Sequence, residues 1–125
     1  MRFPYSASLN PPAPFLPVRV SNLTGAGPTS VSAKIDTGAD ITAIPAYFVE
    51  QLDLAPAGEL VVEGYDVQRA TVLCYDIVLH VDRLRVVGLS VVAFAEDYAL
   101  LGRDVLNRLR ILLNGPELTT EILTP

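Results

Sequence analysis

The stretch Ala33-Lys34-Ile35-Asp36-Thr37-Gly38-Ala39-Asp40 carries the most chemistry in this sequence. An acid closes an apolar segment, and Thr-Gly follows at once. Thr37 offers a hydroxyl that can lock a turn. Gly38 lacks a Cβ, so backbone there can approach closely and bring a peptide N–H within reach of a carboxylate. Asp36 is therefore a candidate catalytic carboxylate, with Thr37, Gly38 and Ala39 as its support. Asp, Thr and Gly also form ordinary turns, so a strand ending in a plain turn is the competing reading. Hydrolysis of a peptide by activated water needs one carboxylate as base and one carboxylic acid as proton donor. The chain holds one such motif. A two-fold homodimer is the natural way to bring two copies of Asp36 together.

A second stretch stands near the C-terminus: Leu100-Leu101-Gly102-Arg103-Asp104-Val105-Leu106. Two apolar residues lead into Gly, Arg and an acid that opens a short helix. In this order, the two stretches resemble the active-site signature and second hallmark of the retropepsins, the single-lobed aspartic proteases of retroviruses. The resemblance covers about Val18 to Leu113. It implies an all-β, closed, small barrel-like fold with one or two short helices, active as a homodimer. It implies that Asp36 is the catalytic aspartate, one from each chain. Thr37 would make interlocking hydrogen bonds across the dimer axis. Asp40 and Arg103 match an acid and an arginine that form a structural ion pair near the interface. Leu100, Leu101, Gly102 and Asp104 complete the second motif.

Between the motifs the resemblance implies a flap, with Gly64, Tyr65, Asp66 and Val67 as its tip and substrate-binding residues. Tyr65 would cover the substrate, as a flap tyrosine does in pepsin-like enzymes, with an ordinary strand aromatic as the competing reading. Retroviral flaps are Gly-rich at the tip, whereas this one has only Gly64. Ala39 stands where two-lobed pepsin relatives usually carry Ser or Thr. It offers no hydroxyl to an ionised carboxylate, so the charged form lacks a hydrogen bond there.

The composition bounds the rest. The chain has 125 residues, 50% hydrophobic and 18% charged, which suits one domain with ample apolar surface to bury. Its net charge of −5 argues against a nucleic-acid partner, which would need a basic face. The single cysteine, Cys74, excludes an internal disulfide and any multi-cysteine metal site. With His80 the lone histidine, a zinc centre or a Ser-His triad has little to draw on. The most apolar stretch, Val86 to Ala95, is about ten residues where a membrane span needs about 20. Pro4, Pro11, Pro12, Pro14 and Pro17 break any signal-peptide core, so a reduced, cytoplasmic setting is expected.

The elements must position the two motifs. Residues 1–17 hold half of the prolines and are expected as an extended arm, followed by the protease-like domain over 18–125. Strands are expected at Val18 to Val20, Thr29 to Asp36, Ile41 to Ile44, Leu60 to Val62 and Arg69 to Val81. Two more, Leu84 to Val87 and Ser90 to Phe94, are expected on either side of Gly88. Asn114-Gly115-Pro116 is a turn signal between Ile111 to Leu113 and Leu118 to Ile122, an expected hairpin beyond the reach of the retroviral pattern. Ala46 to Leu52 and Arg103 to Leu109 suit short helices. Val72, Cys74, Asp76, Val78 and His80 share one strand face and read as structural. Asp76, Asp82 and Asp97 read as surface acids, and Arg83-Leu84-Arg85 as too small a run for a basic patch.

The expected function is a homodimeric aspartic endopeptidase acting on a polypeptide substrate, without metal or cofactor. The alternatives are a non-catalytic peptide-binding or dimerisation module with the same fold, and an interaction domain in which Asp36-Thr37-Gly38 is only a turn.

Overall fold

A computed structural model of the chain describes residues 1–63 and 68–123. The expected flap tip, Gly64, Tyr65, Asp66 and Val67, lies outside the described residues. The chain runs β1 (Arg2–Pro4), β2 (Phe15–Ser21), β3 (Thr29–Ile35), β4 (Ala43–Pro45), α1 (Phe48–Gln51), β5 (Pro56–Glu63), β6 (Arg69–Val81), β7 (Leu84–Phe94), β8 (Ala99–Leu101), α2 (Arg103–Leu106), β9 (Arg110–Asn114) and β10 (Thr119–Leu123).

Seven strands pair in the order β2-β3-β8-β4-β7-β6-β5, and β2 also pairs with β6. That last contact closes six strands into a barrel and leaves β5 outside it as one arm of the β5–β6 hairpin. Alternation decides which residues point inward. On β2, Leu16, Val18 and Val20 are buried while Pro17 and Arg19 are exposed. On β3, Ala33 and Ile35 are buried and Ser32 faces out. Ile77, Leu79 and Val81 of β6 and Val91 of β7 complete the barrel interior, capped by Phe48 of α1 and by Val105 and Leu106 of α2. Each such side chain contributes about 1.5–3 kcal/mol by leaving water.

The topology sets the two motifs side by side. β3 and β8 are parallel neighbours, with Ile35 opposite Leu101. β4 lies between β8 and β7, pairing through Ala43 with Leu100 on one side and Val92 on the other. Asp36 and Gly102, each just past a strand end, therefore leave the sheet at the same place.

Three expectations are corrected in extent. The strands expected on either side of Gly88 form one continuous β7. Gly88 has φ 75°, and the register against β6 shifts between Ile77 and Val78, so the glycine carries a bulge instead of a turn. β2 begins at Phe15, inside the stretch expected as an arm, and β1 pairs with β10. β1, β10 and β9 make a separate three-stranded sheet, in which β1 is an edge strand that tolerates Pro4. The helices are shorter than their sequence spacing suggested, one turn each. No helix among the described residues is long and apolar enough to cross a membrane.

Candidate active site

Asp36 follows the last residue of β3. Its peptide N–H donates to the Leu101 carbonyl at 3.1 Å, and its own carbonyl accepts from the Ala39 N–H at 3.2 Å. The backbone thus turns back on itself directly after the strand. The Gly38 N–H donates to Asp36 Oδ1 at 2.9 Å. A Cβ on residue 38 would lie 3.2 Å from that oxygen, so glycine leaves the room that the bond needs. The Asp36 side chain is half-buried, and Thr37 and Gly38 are exposed. One carboxylate is therefore held by a peptide donor and still reachable.

The second motif braces this turn. The Arg103 N–H donates to the Ala39 carbonyl at 2.8 Å, and its guanidinium donates to the Thr37 carbonyl at 2.7 Å. The same guanidinium pairs with the Asp40 carboxylate. Asp40 is 80% exposed, so that ion pair is a surface contact, and the bond to Thr37 is what ties Arg103 to the active turn. Gly102 sits where backbone meets backbone. A Cβ there would lie 2.7–2.9 Å from the Ile41 main chain, a distance that no side chain tolerates.

Asp104 performs a task that the motif spacing did not disclose. Its carboxylate accepts from the Thr42 N–H at 3.0 Å and the Thr42 hydroxyl at 2.7 Å. That hydroxyl in turn accepts from the Gly102 N–H at 3.1 Å. Thr42 has 0% exposure. Sequence reasoning passed over it, although one polar residue within Ile41-Thr42-Ala43-Ile44 was a signal that a buried partner awaited it. Asp36, Thr37, Gly38, Ala39, Asp40, Leu100, Leu101, Gly102, Arg103 and Asp104 are all brought together. Leu101 is buried beneath the turn, and Leu100 is half-buried beside it.

Two features lie outside the turn. Before β8, Phe15 and Phe94 meet the Tyr98 ring edge-on, with centroids at 5.4 and 5.8 Å. Partial burial, then the Glu96 and Asp97 carboxylates, hold the Tyr98 phenol above its ordinary range. At the far side, Arg69 donates to Glu63 at 2.9 Å where the β5–β6 arms approach the tip. Val61 and Leu73 are large, apolar and exposed on this hairpin. Val61 faces Thr71 across the pair, and Leu73 lies two residues on, so both belong to one face.

The overall fold of this chain is similar to that of solved protease structures. A retropepsin-like aspartic protease from Rickettsia conorii superposes with TM-score 0.62 at 11% identity, over 98% of this chain and 88% of that one. This chain has the retropepsin fold. EIAV protease, solved with a bound inhibitor, matches with TM-score 0.56 at 14% identity, over 77% of this chain and 86% of that one. The foamy viral protease-reverse transcriptase, in complex with an RNA/DNA hybrid, matches with TM-score 0.61 at 23% identity. That match covers 78% of this chain but only 12% of the foamy viral one. No protein-family model and no curated protein matches the sequence.

Proposed function

We propose that this retropepsin-like chain is an aspartic endopeptidase that works as a homodimer, with Asp36 from each chain forming one catalytic pair. The observation that carries the reading is the half-buried Asp36 carboxylate, held by the Gly38 N–H on a turn that the second motif braces. A single carboxylate so placed is half of an acid–base pair, and a two-fold axis beside Thr37 would supply the other half. In support, a cavity of about 250 Å³ opens beside Thr37, lined by Ile35, Arg103, Leu106, Ile111 and Leu113 among others. Leu112 and Leu113 of β9 are each 48% exposed, apolar surface that a second copy would cover.

In this mechanism the two carboxyl groups share one proton. The ionised member takes a proton from a water held between them. The water oxygen attacks the scissile carbonyl carbon, and the protonated member donates to the carbonyl oxygen as charge develops there. Collapse of the diol returns a proton to the leaving amine. No metal or cofactor takes part. The substrate lies extended, as strands do when they add to a sheet edge, with apolar side chains against Val61 and Leu73. A reducing cytoplasm suits the free, buried Cys74.

The test is cleavage of a peptide library over a dilution series, with association followed by sedimentation in the same samples. Activity per chain should fall as dimer gives way to monomer, and a transition-state-mimicking aspartic protease inhibitor should abolish it. Undiminished activity in a monomeric sample refutes the shared site. Dimerisation and peptide binding without cleavage point to the non-catalytic module.

A further inference from the structure

Arg19, His80 and Arg85 are far apart in sequence but stand in one row. Arg19 of β2 is the cross-strand partner of His80 of β6, and His80 is the partner of Arg85 of β7. Cross-strand partners on one face sit about 4.5–5.5 Å apart, so the three side chains rise together from the outer surface of the barrel. Two residues from Arg19 on the same strand, Ser21 faces the same way and is only 4% exposed. These four side chains, with Gly25, Pro28 and Val78, line a pocket of about 160 Å³. Its wall is a built loop. The Asn22 side chain accepts from the Thr24 N–H at 3.0 Å and the Ala26 N–H at 3.3 Å, and donates to the Leu52 carbonyl at 3.3 Å.

Among the described residues no carboxylate pairs with this row. Three ion pairs form among the described residues, Arg2–Glu121, Arg69–Glu63 and Arg103–Asp40, and none involves Arg19 or Arg85. Asp82 and Arg83 follow at the β6–β7 turn and do not line the pocket. Among the described residues the Ser21 hydroxyl has no hydrogen-bond partner either, though the residue is nearly buried and lines the pocket. A chain with net charge −5 has carboxylates to spare, yet none of the ion pairs among the described residues is made with Arg19 or Arg85. A row of two guanidiniums around an imidazole, with no ion-pair partner among the described residues and a serine hydroxyl beside it, is complementary to an anion from outside.

We propose that Arg19, Ser21, His80 and Arg85 form a binding site for a phosphoryl group. Two guanidinium forks on either side of an imidazole suit a tetrahedral oxyanion, whose oxygens point in several directions and accept paired N–H bonds. A planar carboxylate would occupy one fork and leave the other idle. The hydroxyl and imidazole supply the remaining bonds, and the pocket admits a phosphoryl group without its carrier. The site is separate from Asp36. Arg19 pairs with Ser30, while the Asp36 end of β3 pairs with Phe15. Four residues of strand, about 13 Å, lie between them.

The experiment is a titration of the ¹⁵N-labelled chain by NMR at constant ionic strength, with inorganic phosphate, a phosphoserine peptide and adenosine monophosphate in separate arms. At least one probe should give saturable shifts confined to Arg19, Ser21, Gly25, His80 and Arg85. The Arg19→Ala/Arg85→Ala variant should bind that probe at least about tenfold more weakly, with the rest of its spectrum unchanged. Should that variant fail to fold, Arg19→Gln and Arg85→Gln singly should each weaken binding. Equal affinity in all arms assigns the free anion, and a tenfold preference for one carrier assigns that source. No saturable shift with any probe, the same shifts from matched chloride, or unchanged affinity in the folded variants overturns the proposal.

Discussion

Thr42→Val removes one hydroxyl and keeps the shape of the side chain. That hydroxyl donates to Asp104 at 2.7 Å and accepts from the Gly102 N–H at 3.1 Å. With 0% exposure at Thr42, solvent cannot take its place. A hydrogen bond to a charged group is worth about 1.5–3 kcal/mol, and a stranded buried N–H costs about 1–3 kcal/mol. One hydroxyl serves both bonds, and Asp104 keeps the Thr42 N–H at 3.0 Å, so the two terms do not add in full. A loss of about 2–4 kcal/mol is expected, a large fraction of a domain's total of about 5–15 kcal/mol. The assay is urea unfolding of the variant and wild type at equal concentration. With a slope of about 2 kcal/mol per molar, the midpoint should fall by about 1–2 M. Thr42→Ser keeps the hydroxyl and loses one methyl, so it should cost only about 1 kcal/mol. A Val variant within about 0.3 M of wild type, or a Ser variant as weak as Val, refutes the claim that this hydroxyl ties the second motif to the start of β4.

Gly102→Ala should unfold the chain more readily than any other small substitution in the motif, by about 3 kcal/mol or more, because its methyl meets the Ile41 main chain at 2.7–2.9 Å. Gly115→Ala, which meets nothing within 4 Å, is the control, and equal melting temperatures for the two would contradict the close approach. Arg103→Ala should change stability by no more than about 1 kcal/mol through its ion pair, since Asp40 is 80% exposed, yet lower kcat by freeing the Thr37 carbonyl. Unchanged kcat would remove Arg103 from the support of the turn. The Tyr98 phenol should titrate above the ordinary value of about 10, and Glu96→Gln/Asp97→Asn should bring it down, as read by absorbance at alkaline pH. A raised phenol stabilises the folded chain fully below pH 10 or so, and that contribution is lost as pH rises towards the folded-state value. Identical titration in the variant would show that the carboxylates do not act on Tyr98.

Much of the candidate site was legible because its parts are local. Asp36, Thr37 and Gly38 are consecutive, and the bond from Gly38 to Asp36 spans two residues. The clean alternation of Thr29 to Asp36 disclosed β3, and the length of Arg69 to Val81 disclosed β6. Thr42 was not legible as a brace, because its partners lie 60 and 62 residues away and only the β3–β8–β4 neighbourhood brings them near. Gly88 misled for a different reason. Glycine is a turn former locally, but pairing with β6 carries β7 through it as a bulge. The prolines of the N-terminal stretch spoke for an arm, while an edge strand accepts them just as well. The row of Arg19, His80 and Arg85 exists only through cross-strand register, which no local pattern displays.

Asp36→Asn tests the central claim most directly. It replaces one carboxylate oxygen, keeps the acceptor for the Gly38 N–H, and removes the acid–base function from both halves of a dimer at once. Wild type and variant are incubated with the same peptide library at the same chain concentration, with products read by mass spectrometry and association by sedimentation. Both should associate to the same extent, wild type should cleave, and the variant should yield no products. Cleavage by the variant at the wild-type rate, or a wild-type dimer that cleaves nothing in the library at any pH, would contradict the claim.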